Sequence, residues 1–180
     1  MEIGARRLDS LGNPVGSEFR LNTYTSFAQE NAVVAGDSAG NFLVVWRSSG
    51  QDGSSLSVHG RLLVGGAIRG GEFRVNTYTT NVQQYPVVGT VAPGMFVVAW
   101  ESIGQDGNAA GLFGRTVCVH GDATGDGVVD VSDVFYLINS LFAGGPAPVG
   151  CADVNGDIMV DVNDVFYLIN FLFAGGPPPV

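Results

Sequence analysis

Asp122-Ala123-Thr124-Gly125-Asp126-Gly127-Val128-Val129-Asp130-Val131-Ser132-Asp133, running directly into Val134-Phe135-Tyr136-Leu137-Ile138-Asn139, is the stretch on which the reading of this chain turns. Side-chain oxygens stand at positions 1, 3, 5, 9 and 12 of a twelve-residue segment, with glycine at position 6. The pattern returns 31 residues later as Asp153, Asn155, Asp157, Asp161 and Asp164, followed by the same Val-Phe-Tyr-Leu-Ile-Asn run at residues 165–170. An acidic turn needs no fixed spacing, whereas a metal loop does.

The chemistry this spacing suits is calcium, which takes six to eight oxygen ligands from loop positions 1, 3, 5, 7, 9 and 12, the seventh through its backbone carbonyl. The first ligand set is then Asp122, Thr124, Asp126, Val128, Asp130 and Asp133, and the second is Asp153, Asn155, Asp157, Met159, Asp161 and Asp164. Two Ca²⁺ ions are expected. Eight aspartates lie within this region and residues 121–180 hold no basic residue, so the carboxylates repel one another unless a cation enters. Each loop carries one departure: Thr124 is a neutral ligand, and Ile158 holds the sharp-turn position where a glycine's positive φ is expected.

A helical period follows each loop. Val134, Leu137, Ile138 and Leu141 form an i, i+3, i+4, i+7 stripe, repeated by Val165, Leu168, Ile169 and Leu172, and Gly-Gly-Pro stops each run. This tandem loop-plus-helix pattern resembles the dockerin family of bacterial calcium modules over about the last 60 residues. The resemblance implies a calcium-dependent surface that binds a cohesin-type domain, often through paired hydroxyl residues at loop positions 10 and 11. Here those positions are Val131-Ser132 and Val162-Asn163. Between Asp133 and Asp153, and after Asp164, no charge occurs, so Phe135, Phe142, Phe166, Phe171 and Phe173 are either internal packing or a partner surface.

Cys118 and Cys151 bracket the first loop and helix. A disulfide between them would close that unit and suits an extracellular setting; two buried free thiols are the alternative.

Upstream, a second period appears. Phe19 and Phe73, Tyr24 and Tyr78, Trp46 and Trp100, and Asp52 and Asp106 are each 54 residues apart, and Arg7, Arg61 and Arg115 keep the step. Each period offers about four strands separated by Gly and Asp turns, so residues 1–120 are expected to be an all-β repeat domain, propeller-blade-like or a β-sandwich, and residues 121–180 a small helical calcium module. The wording of these units, Glu72-Phe73-Arg74-Val75-Asn76-Thr77-Tyr78-Thr79 and then Gly104-Gln105-Asp106-Gly107, resembles repeats of large secreted and surface proteins of bacteria. The chain enters partway through one unit, completes one and leaves after most of another, which exposes strand edges.

Composition narrows the function. The net charge is −9 and there is no lysine, which argues against nucleic acid. The most apolar run, residues 165–174, is half the ~20 residues of a membrane span. Residues 1–7 lead into polar turns rather than the apolar core of a signal peptide. Gly36-Asp37-Ser38-Ala39-Gly40 has the spacing of a hydrolase nucleophile turn but joins two strands, and neither His59 nor His120 has an evident acid or nucleophile beside it. The expectation is a non-enzymatic, extracellular structural protein that self-assembles with other copies into a fibre or array. The alternatives are a dockerin-like anchor for a cohesin-type receptor, or part of a larger secreted enzyme or adhesin.

Overall fold

The computed structural model describes residues 2–180, in which nine strands precede two helices. Strands β1 (Gly4–Leu8) and β2 (Pro14–Arg20) form a two-stranded sheet. Strands β3 (Gln29–Gly36), β4 (Phe42–Ser49), β5 (Leu56–Val64) and β6 (Ala67–Arg74) form a four-stranded meander. Strands β7 (Gln83–Ala92), β8 (Met95–Ile103) and β9 (Ala110–Cys118) form a three-stranded one, and every pairing is antiparallel.

The 54-residue step maps β3, β4 and β5 onto β7, β8 and β9, and β1 and β2 onto β5 and β6. The middle sheet is therefore the complete unit. Its last hairpin closes through Gly65 and Gly66, both at positive φ, a conformation that matches the twist of the flanking strands and that only glycine adopts freely. In the third sheet the place of a fourth strand falls on residues 121–128, where the chain instead enters the first acidic loop.

Successive sheets stack by opposite faces. Trp46 is buried with Leu21, Val44 and Leu63 between the first two sheets, while Trp100, one period later, is buried with Val45, Val58 and Phe96 between the second and third. Such strands bury one face behind and the other ahead, so they carry apolar residues at nearly every position, as Phe42-Leu43-Val44-Val45-Trp46 does.

A buried carboxylate joins the first two units. Glu72 accepts hydrogen bonds from Thr23 Oγ1 (2.6 Å), from the Thr23 and Tyr24 N–H groups and from Gln51 Nε2 (2.7 Å). Beside it, His59 Nδ1 lies 3.7 Å from Glu72 Oε1 and His59 Nε2 lies 3.0 Å from Ser57 Oγ. This corrects the expectation that His59 has no acid or nucleophile at hand: Ser57 is two residues away on β5, and Glu72 is brought alongside from β6. Burial pushes the imidazole below its ordinary pKa against the pull of Glu72, and Ser57 is 0% exposed, so the array knits β5 to β6. Ser38 lies in the β3–β4 turn, where Asp37 N–H donates to Asn41 O, rather than at a strand-to-helix elbow.

Burial alone would raise the Glu72 pKa, but the hydrogen bonds from Thr23, Gln51 and Tyr24 outweigh it and hold the carboxyl below its ordinary 4.5. A depressed acid stabilises the fold above its unfolded pKa and loses that contribution as the pH falls through the folded value. Glu72→Gln is expected to cost about 2 kcal/mol at pH 7. Urea denaturation of both proteins checks this, and the gap between them should shrink as the pH drops below about 4.

Candidate metal centre

Each acidic loop is organised by its first and last carboxylates. Asp122 Oδ1 accepts from Gly125 N–H (2.7 Å) and Oδ2 from Gly127 N–H (2.8 Å); Asp153 does the same with Gly156 (2.8 Å) and Ile158 (2.9 Å). Asp133 Oδ1 accepts from Ala123 N–H (2.9 Å) and Thr124 N–H (3.0 Å), and Asp164 Oδ1 from Val154 N–H (2.7 Å) and Asn155 N–H (3.2 Å). The position-12 carboxylate thus ties the end of its loop back to the beginning.

The same residues start the helices. Helix α1 (Val131–Phe142) is capped by Asp130, whose Oδ1 accepts from Ser132 N–H, while Asp133 in the first turn accepts from Asp130 N–H. Helix α2 (Val162–Ala174) repeats this with Asp161, Asn163 and Asp164. Both are reciprocal capping boxes that satisfy N–H groups the helix cannot bond internally. The Asp-x-x-Asp spacing carried that signal, although metal ligation alone was read from it.

Asp133 and Asp164 are 0% exposed, and among the described residues no arginine pairs with any aspartate of either loop. Burial raises the Asp122 pKa, and the neighbouring Asp133 and Asp126 carboxylates raise it further; burial also raises that of Asp133. Buried anions without a counter-cation are the condition that an oxygen-seeking divalent ion relieves. Among the described residues no three His, Cys, Asp or Glu side chains are gathered so as to hold a metal by themselves. The ligand sets expected from the sequence are mixed, however, and would add hydroxyl, amide and carbonyl oxygens from Thr124, Asn155, Val128 and Met159 to the carboxylates. The donor chemistry fits calcium.

The two loops differ in setting. Loop one is docked on the sheets: Asn41 Nδ2 donates to Gly127 O (2.7 Å), and Asp37 Oδ2 accepts from Gly94 N–H (2.7 Å) in the facing β7–β8 turn. A Cβ on Gly127, at φ +84°, would fall 2.7 Å from Ala39 Cβ and 3.0 Å from Gly94 N. Loop two is open, and Ile158 holds the equivalent position at φ +75° with 93% exposure. The strain at Ile158 is legible in the sequence, whereas no local pattern links Asn41 to Gly127 or Asp37 to Gly94.

Cys118 and Cys151 are disulfide-bonded, with their Cα atoms 6.2 Å apart and a separation of 33 positions in sequence. The bond fastens the end of β9 to the start of loop two, beside Gly121 N–H donating to Cys151 O (2.8 Å) and His120 Nδ1 donating to Asp153 O (3.0 Å). At the far side Arg69 of β6 lies over the Phe171 ring, 4.7 Å from its centroid. The helices pack on each other through Val134, Leu137, Val165 and Leu168. Phe171 is thereby held against the sheets, whereas Phe135, Phe142, Phe166 and Phe173 are 63–67% exposed.

Residues 120–173 match the family model of the dockerin type I domain. No curated protein and no solved structure matches the chain. The C-terminal part is thus a dockerin-like module, of a kind that typically binds calcium and occurs in secreted or cell-surface proteins. Among the described residues no helix is long and apolar enough to cross a membrane.

Ile158→Gly should stabilise the chain by about 1 kcal/mol by relieving the left-handed backbone, whereas Gly127→Ala should destabilise it by about 2 kcal/mol through steric conflict with Ala39 and Gly94. Paired thermal melts read both signs. Replacing Cys118 and Cys151 together by serine should cost about 3–4 kcal/mol by freeing the unfolded chain, measured by chemical denaturation without reductant.

Proposed function

We propose that this chain is a non-enzymatic extracellular anchor, in which a dockerin-like module holding two Ca²⁺ ions is fixed to a β-repeat body and docks a cohesin-type protein domain through its helices. The first ion is assigned to Asp122, Thr124, Asp126, Asp130, Asp133 and the Val128 carbonyl. The second is assigned to Asp153, Asn155, Asp157, Asp161, Asp164 and the Met159 carbonyl. Calcium supplies charge neutralisation; the chain's own carboxylates and capping boxes set where the helices begin.

The observation that carries the reading is the exposed aromatic pattern. Phe135 and Phe166, and Phe142 and Phe173, are equivalent pairs in the 31-residue repeat, and all four face solvent on helices whose only charges, Asp133 and Asp164, are buried. Exposed aromatics on a charge-free surface mark a protein interface. Ser132 Oγ already donates to Asp130 Oδ1 (2.5 Å), so recognition here rests on apolar contact more than on hydroxyl groups. The repeat body is read as blade-like, because its sheets stack in one direction with Trp46 and Trp100 in equivalent layers. Self-assembly into a fibre rests on the open strand edges together with the apolar helices and gains nothing from the family match.

Calorimetric titration against a panel of type I cohesin domains tests the proposal. Binding should need millimolar Ca²⁺, vanish in EGTA and weaken about 100-fold or more on joint replacement of Phe135 and Phe166 by serine. Binding indifferent to both changes would sink the helix-surface assignment, and regular calcium-dependent filaments in electron micrographs would restore the fibre reading.

A further inference from the structure

Strand β9 ends the third sheet with no strand on its outer side among the described residues. In the complete unit that place is filled by β6, paired so that Phe73 lies opposite Gly60 and Ile68 opposite Leu63. The residues of β9 one period after Gly60 and Leu63 are Gly114 and Val117.

The filled and unfilled places can be compared atom by atom. A Cβ on Gly60 would meet the Phe73 ring at 3.1 Å, so glycine is needed there for the ring to lie across the strand. At Gly114 the nearest atom is the Val98 carbonyl oxygen at 3.4 Å, and no ring is present. In the filled unit Gln51 Nε2 donates to Glu72 while Gln51 Oε1 accepts from Ser48 Oγ (2.7 Å). Their equivalents Ser102 Oγ and Gln105 Oε1 are buried with no hydrogen-bond partner, and Ser102 is 0% exposed. Unpaired buried polar atoms are costly; the filled unit also has them, at Asp52, His59, Arg61 and Arg69, but at these two positions its hydrogen bonds are made. The residues one period after Glu72 and Phe73 are Asp126 and Gly127, which are committed to the first acidic loop.

Alongside lies a cleft of about 470 Å³ between β6 and β9, lined by Arg69, Arg74 and Arg115 and closed at one end by Pro179. Arg115 Nη1 reaches across to the Arg74 and Val75 carbonyl oxygens at 3.5 and 3.4 Å. Three of the chain's eight arginines border this space, and the one acid lining it, Glu72, is already bound by Thr23 and Gln51.

We propose that the free edge of β9 is an acceptor for an extended strand from a separate protein, one that carries a glutamate followed by phenylalanine. The partner's main chain continues the ladder beside β9, its ring lies over Gly114 as Phe73 lies over Gly60, and its carboxylate orients Gln105, which then accepts from Ser102. Strand addition of this kind draws affinity from the ladder and selectivity from the alternating side-chain sites. The site stands apart from the helix surface of the dockerin-like module and does not rest on that reading.

The test uses the full chain and a fluorescent ten-residue peptide with the sequence of residues 67–76, followed by anisotropy in calcium buffer. Saturable binding is expected, weakened about ten-fold or more when the glutamate of the peptide becomes glutamine or its phenylalanine becomes alanine. On the protein side Gly114→Val should block the ring site and Gln105→Ala should remove the dependence on the peptide's carboxylate. The peptide variants leave the protein untouched, so the outcome stands even if Gly114→Val fails to fold. No saturation by about 1 mM, or parent and altered peptides binding alike, would overturn the proposal. A dimer that the peptide disperses in sedimentation would overturn the separate partner in favour of a second copy.

Discussion

Asp133 and Asp164 are the points on which the helical module depends. Each is a carboxylate with no exposure, and each closes its loop, completes a helix cap and stands at the position-12 ligand site. Combining these tasks in one side chain is economical only because they share a geometry. The first helical turn leaves N–H groups to be satisfied, and the loop start offers more of the same. Charge is the cost. With no lysine or arginine after Arg115, a cation from outside would relieve the burial of these anions, so the carboxylates that set the module's packing are also the ones a metal would engage.

The two halves of the module face different constraints despite their near-identical sequences. Loop one lies against the β3–β4 and β7–β8 turns, where Asp37, Asn41 and Gly94 hold it and Gly127 has no room for a side chain. Loop two lies in solvent, and a branched residue survives at its sharp turn with strain but no collision. A sequence repeat therefore does not imply a repeat of environment. The same holds in the sheets, where His59 is buried against Glu72 but Phe113 occupies the equivalent place in β9.

The strands, the helices and the loop boundaries were legible because each has a local cause: alternating apolar residues, a 3.6-residue stripe, Gly-rich turns and strict ligand spacing. The 54-residue step also foretold that the last sheet would lack a strand. Less legible was anything that joins distant segments. Glu72 reaches His59 only through the register of β5 and β6, and Asn41 meets Gly127 across 86 residues of chain. The five phenylalanines read alike in sequence. Phe171 parts from the others because it packs against the core between the helices and Arg69 of β6 lies above it.

The Cys118–Cys151 bond also has a mechanical meaning. Residues 119–150, with loop one and α1, lie inside the covalent ring it closes, while α2 lies beyond it. Tension applied to α2 reaches β9 through the sulfur bridge without passing along loop one. A load on that helix would pass to a covalent strut and a hydrogen-bonded sheet, bypassing the first acidic loop.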